Sequence, residues 1–317
     1  MDLITILKSR IEGLPEGDYT QGLNAVVQHI EVAERHLMRG QSTADETAFT
    51  DAVYRTNHAF EGSLKEAFRV LSGKEPANER PYDIENYLQQ QNVLRSRVLS
   101  QFTNYRREWR NPSAHDYRLD FDEDEALLAI VNVSAFAIVL IDQITERIAF
   151  EEARETATSE SISGKEFHSL TERIVNLLEQ FTKQFNQTHK DRPDIREVEV
   201  IGALSGFLTS TASDLEHYIE VKLSSEKSSG RADLLIISDT EKVILEVKLL
   251  RGAKFFNSRL VENYIKQVSN YIAISKITKA IVYVYSIPNT GRVVHNEYSP
   301  SGVNGQIMII STENNAV

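Results

Sequence analysis

The feature that most constrains this chain is a change of hydrophobic period near residue 155. Before it, apolar residues recur three and four apart in "GLNAVVQHIEVAERHLM", "DAVYRTNHAFEGSLKEAFRVL", "DIENYLQQQNVLRSRVLSQFTNYRREW" and "EDEALLAIVNVSAFAIVLIDQITERIAFEEAR", the spacing of amphipathic helices. "GLPEGD" and "SGKEPANERPYD" break the pattern between them. "DFDEDEALLAI" reads as a capped helix start, with Asp122 as N-cap and Glu125 three residues on. Beyond a small, polar stretch, "TATSESISG", the order is mixed. Helices are expected near 165–188, 195–209 and 257–274, and strands near 217–223, 231–238, 243–249, 279–286 and 305–312. The division is therefore an all-α bundle over 1–155, a linker over 156–164, and an α/β domain around a mixed sheet over 165–317.

Composition narrows the class. The 317 residues are 41% hydrophobic and 26% charged, as expected of a soluble globular chain. The apolar run 129–141 is too short and interrupted to span a bilayer and reads as a buried helix. The N-terminus lacks the basic start and cleavage site of a signal peptide, and without cysteine there is neither a disulfide framework nor a thiolate metal site. A cytoplasmic protein is expected. The net charge of −11 argues against a generic nucleic-acid-coating protein. It is unevenly spread: 1–150 holds 16 basic and 24 acidic residues, 251–317 holds 7 basic and 3 acidic. A polyanion would meet its most favourable field toward the C-terminal end.

Within the second region, "RADLLIISDTEKVILEVK" (231–248) reads as a hairpin carrying charges in otherwise apolar strands. Alternation places Arg231, Asp233, Leu235 and Ile237 on one face of the first strand, and Ile244, Glu246 and Lys248 on one face of the second. A two-residue turn at Asp239-Thr240 sets Asp233 opposite Glu246. Asp-Thr lacks the glycine a tight hairpin prefers, which favours a four-residue turn that sets Asp233 opposite Lys248. Both registers gather two carboxylates and an ammonium at one end of one face. A cross-strand ion pair is the plain explanation. Two carboxylates at strand ends also form a hard oxygen site suited to Mg²⁺, and the lysine two residues on is placed to steady a developing phosphorane charge.

Asp-x12-Glu-x-Lys on a hairpin, preceded by "GR", resembles the PD-(D/E)XK, or restriction-endonuclease-like, nuclease superfamily. Ala232 stands where the naming proline would be. The resemblance implies Mg²⁺, with Mn²⁺ as a substitute, on Asp233 and Glu246, with Lys248 assisting the attacking water. A helix carboxylate aimed at the metal would be Glu197 or Glu199. Glu197 is preferred, because it shares a stripe with Ile201, Leu204 and Leu208 and should face the sheet. Gln267 and Tyr271, four apart on the next helix, resemble the Q-x3-Y signature of the RecB-like branch. Lys254, Arg259, Lys266, Lys276 and Lys279 are available to neutralise substrate phosphates.

In the helical region, "YRREWRNPSAHDY" carries Arg110, Asn111 and His115 at a break between helices. This Arg-x4-His pattern resembles the HEPN superfamily of small helical bundles, commonly dimers and in many cases metal-independent ribonucleases. There Arg110 would hold the scissile phosphate, His115 would transfer the proton and Asn111 would orient the group, with Glu61 as an acidic partner. The other seven histidines show no ligand spacing. Together the resemblances imply a nuclease, DNA favoured over RNA, dimerised through the bundle and acting in prokaryotic defence against phage or plasmids, with a partner protein that activates it or delivers substrate. The alternatives are a metal-independent HEPN ribonuclease targeted by the C-terminal domain, and a non-catalytic nucleic-acid-binding subunit.

Overall fold

The structure, a computed structural model, describes residues 2–91, 96–116, 118–157, 167–189, 192–225, 228–251, 257–300 and 302–313. It has the expected organisation, a helical region followed by a mixed six-stranded sheet with a further helix. Two compact units form, Met1–Arg147 and Ile148–Val317. Residues 158–164 of the expected linker lie outside the described residues.

The first unit contains α1 (Leu3–Glu12), α2 (Thr20–Thr43), α3 (Thr47–Ser72), α4 (Pro81–Gln90), α5 (Ser96–Tyr105), a π-helical turn Arg106–Arg110, α6 (Asn111–His115) and most of α7 (Glu123–Thr156). Within the run 83–109, α4 ends at Gln90 and a helix is described again from Ser96. The start of α7 is closed by the expected reciprocal pair: Glu125 N–H donates to Asp122 Oδ1 (2.9 Å) and Asp122 N–H to Glu125 Oε2 (3.0 Å). At 34 residues α7 exceeds the run read from sequence, and it is long and apolar enough to cross a membrane by length and composition. Its Ala126, Ala129, Ile130, Val133, Ala137, Leu140, Ile141 and Ile144 are nevertheless buried at helical spacing, the pattern of a core helix. Phe60, Phe102, Tyr105 and Phe136 close the aromatic centre of the core, with Phe102 and Phe136 stacked at 4.4 Å.

The second unit continues with α8 (Leu170–His189), α9 (Glu197–Thr211), β1 (Glu216–Ser224), β2 (Ser229–Ile237), β3 (Lys242–Arg251), α10 (Ser258–Ser275), β4 (Lys279–Ile287), β5 (Val293–Tyr298) and β6 (Gln306–Thr312). Strand order is β1-β2-β3-β4-β6-β5. β1, β2 and β3 pair antiparallel, β3 with β4 and β4 with β6 parallel, and β5 with β6 antiparallel. β4 is buried along almost its whole length, and its run "AIVYVYSI" suits a central strand covered on both faces. α8 and α9 pack on one face, against Leu234, Leu245, Val247, Ile281 and Tyr283. α10 covers the other, through Val268, Tyr271 and Ile272 against Ile244, Val282 and Val284.

Candidate functional site

The hairpin is the tight one. Ile237↔Lys242 through Leu234↔Leu245 pair in register, and Ser238 N–H donates to Glu241 O (2.9 Å) across Asp239-Thr240. The four-residue turn favoured by the missing glycine does not form. The Ser238 hydroxyl accepts from Glu241 N–H (3.1 Å), a side-chain bond that steadies the turn without glycine.

Strict alternation fails one step past this ladder. Leu234 and Ile236 pack on the α8/α9 side, whereas Ala232 packs on the α10 side together with Leu235. The neighbouring strand turns over at the same level: Ile219 lies with α8/α9, Val221 and Leu223 with α10. Between them Glu220 adopts φ +55°, a left-handed conformation uncommon outside glycine, and its carboxylate accepts from Arg231 (2.8 Å). β2 and β3 part here, and Val247 N–H donates to the Asp233 side chain, at Oδ2 (2.8 Å). Asp233 thus serves as a backbone partner and projects between the strands.

Glu246 is 3% exposed. Its Oε1 accepts from Lys248 Nζ (2.8 Å) and from Gln267 Nε2 (2.5 Å), and Gln267 Nε2 donates also to Tyr271 Oη (2.8 Å). The four-residue spacing on α10 puts both side chains on the face that covers the sheet. Gly230 leaves room for this: a Cβ there would stand 2.9 Å from the Tyr271 ring. Glu246 Oε2, by contrast, is buried and has no hydrogen-bond partner.

The electrostatics are unbalanced. Burial, and then the charge of Glu246, pushes the Asp233 carboxyl up to about 7, against the pull of Lys248 and the Val247 N–H. Glu246 is also raised, first by burial, despite Lys248 and the nearby Asp233 N–H. Burial draws Lys248 down, but Glu246, Asp233 and Glu197 outweigh it and hold the ammonium above the usual lysine range. At least two carboxylates thus share one cation in a site that water screens poorly.

Of the two helix carboxylates, Glu199 is committed elsewhere. It accepts from Arg196 N–H (3.1 Å), closing the start of α9, and pairs with Arg192 (3.0 Å). Glu197 is the first residue of α9, and its charge is felt at Asp233, Glu246 and Lys248. Tyr264, which the sequence reading passed over, also senses Lys248 and Glu197. It lies three residues before Gln267 on α10, a helical spacing that sets the two side chains on neighbouring positions of one face.

The donors of this arrangement suit a divalent cation. Asp233 and Glu246 offer hard oxygens on one face, Glu246 Oε2 is an orphaned buried acceptor, and an excess of negative charge surrounds it. Those properties fit. Among the described residues, however, no three His, Asp or Glu side chains gather closely enough to enclose an ion. The two hairpin carboxylates would therefore be the core of such a site, with Glu197 at its margin.

The basic residues divide. Lys279 starts β4 and is paired with Glu241, and Lys276 caps the far end of α10. Both lie toward the end of the sheet where β3 begins. Arg259 and Lys266 are exposed on α10 in the half that leads up to Gln267. Lys254 lies outside the described residues.

In the helical unit, Arg110 Nε donates to Glu61 Oε1 (2.6 Å) and its NH1 to Asn111 Oδ1 (3.3 Å). Ser113, next to this pair, is bonded to Arg110 O and Asn57. His115 is exposed. No family model matches the chain, and no curated protein matches it.

Proposed function

We propose that the chain is a Mg²⁺-dependent nuclease that hydrolyses phosphodiester bonds, DNA favoured, at Asp233, Glu246 and Lys248. The observation that carries this reading is the asymmetry of Glu246: one oxygen holds two donors, while the other is buried with none. An unsatisfied buried carboxylate oxygen is costly, and a cation is the partner that would relieve both it and the Asp233–Glu246 repulsion. The resemblance to the PD-(D/E)XK superfamily agrees, since Gln267 donates to the Glu246 carboxylate and to the Tyr271 hydroxyl.

Asp233, Glu246 and Glu197 would hold the metal, which when bound supplies positive charge to the scissile phosphate and makes water a better nucleophile. Lys248, anchored on Glu246, presents protons to the attacking water and to the charge that develops on phosphorus. Gln267 fixes the Glu246 rotamer and keeps Oε1 occupied, so that Oε2 faces the ligand. Tyr271, raised by burial, stays protonated and accepts from Gln267, leaving its own O–H free to donate. Arg259 and Lys266 are the exposed cations on the α10 approach available to the polyanion. The wider reading is a cytoplasmic effector of prokaryotic defence, dimerised through a HEPN-like bundle and working with a partner that activates it or brings substrate.

The second reading, metal-independent RNA cleavage by Arg110, Asn111 and His115, has the π-helical turn before Arg110 in its favour, a feature frequent at functional sites. Plasmid DNA, single-stranded DNA and RNA incubated with wild type or Lys248→Ala, in Mg²⁺ or EDTA, separate the readings. Metal-dependent cleavage reduced about 10²–10³-fold by Lys248→Ala is expected. RNA cleavage that survives EDTA and that substitution would move the chemistry to Arg110 and His115. Salt-sensitive binding unchanged in Lys248→Ala, with no cleavage under any condition, would make the chain a binding subunit.

A further inference from the structure

Away from the hairpin, the second unit contains a cavity of about 210 Å³ between the last turns of α7, the C-terminal half of α8 and the middle of α9. Native interiors leave few voids larger than a water molecule, and an apolar cavity of roughly 150 Å³ already accepts benzene. Here the space exists because Ala149, Ala153 and Ala203 stand opposite Phe181, Phe185 and Phe207. Rings on α8 form a stacked column: Phe181 stacks on Phe185 at 5.2 Å, and Phe185 on His189 at 4.1 Å with planes 10° apart, so the column offers ring edges rather than faces.

The polar atoms at this cavity are biased to one kind. His189 Nδ1 lies 2.6 Å from Thr188 Oγ1 and 3.1 Å from Phe185 O, contacts that hold the ring in place. Burial keeps the imidazole below its usual pKa, which favours the neutral ring. Gln184 spends its Nε2 on Thr156 O (2.7 Å), leaving Oε1 to accept. Glu152 adds an exposed carboxylate at the rim. Gln187 can serve either way. Aromatic walls with accepting groups at the mouth suit a flat ring that carries donors.

We propose that this cavity binds a small flat bicyclic aromatic molecule bearing amino or amidine-type hydrogen-bond donors, its ring face against the edges of the Phe181–Phe185–His189 column and its donors toward Glu152 and Gln184. The site stands independently of the nuclease reading, since none of its residues belongs to the hairpin centre. The test titrates 2-aminobenzimidazole, and benzimidazole without the amino group, into the full chain by calorimetry. Saturable one-site binding is expected, about tenfold tighter for the aminated probe, the worth of one hydrogen bond to a charged group. Ala153→Phe should fill the space and abolish binding of both probes, with circular dichroism and melting temperature kept. Glu152→Gln on the rim should erase the advantage of the amino group and leave benzimidazole unchanged, a result that decides the matter even if Ala153→Phe misfolds. Failure of both probes to saturate at millimolar concentration, binding unchanged in a folded Ala153→Phe, or equal affinity of wild type for the two probes would overturn the proposal.

Discussion

Two buried glutamates, one in each unit, show how differently this chain treats charge. In the helical unit, Glu85 accepts from Arg106 (2.8 Å) at one oxygen and from Thr103 (3.1 Å) at the other. Nothing is left over. In the α/β unit, Glu246 places two donors on one oxygen and none on the second, beside another carboxylate. A buried ion pair that satisfies itself is a structural device, whereas one that leaves an oxygen and a charge unmatched costs stability and is set up for a ligand.

The comparison breaks most readily at its closed side. Arg106→Ala leaves Glu85, 4% exposed, without its cation, and should destabilise the chain by about 3–5 kcal/mol, read from urea denaturation. A smaller effect of opposite sign is expected at the open side. Asp233→Asn keeps an oxygen for Val247 N–H but removes one repelling charge, and in EDTA at pH 8 it should stabilise the protein by about 1–2 kcal/mol while abolishing cleavage. Loss of stability in Asp233→Asn would show that the two carboxylates do not oppose one another.

The smallest effect is in pH dependence. Because the folded state raises the Asp233 pKa to about 7, it holds that proton more tightly than the unfolded chain does. The associated stability is complete below pH 4 and is lost as the pH rises through 7. His29, His189 and His217, lowered chiefly by burial, act the other way and cost stability as the pH falls below about 6.5. The difference between wild type and Asp233→Asn isolates the carboxylate: it should widen from pH 5 to pH 8 in EDTA. A constant difference would contradict the raised pKa.

How much of this could be read from the chain follows the same division. The change of period gave the α and α/β halves because burial on one helix face or on both sheet faces leaves its mark in composition. β5 went unseen: "VVHNEY" is an edge strand, largely exposed, so its alternation carries little apolar signal. Glu246 and Lys248 could be grouped because strand period fixes which residues share a face, whereas Gln267 and Tyr271 were legible through the Q-x3-Y resemblance. The turn was misjudged because glycine preference spoke against a tight loop that Ser238 holds by its hydroxyl. The turnover at Glu220 was invisible, since alternation presumes regular backbone and a positive φ at glutamate has no sequence marker. Glu197 could be preferred over Glu199 by stripe, but the reason Glu199 is excluded, its capping bond and Arg192, appears only in three dimensions.

The most direct measurement is the melting temperature of wild type and Asp233→Asn as Mn²⁺ or Mg²⁺ is titrated against EDTA. If the open glutamate is one side of a cation site, wild type should rise by several degrees with saturating metal, as linkage to a ligand bound only by the folded state requires, and Asp233→Asn should not move. An unresponsive wild type, or an equal rise in both proteins, would contradict a cation site between Asp233 and Glu246.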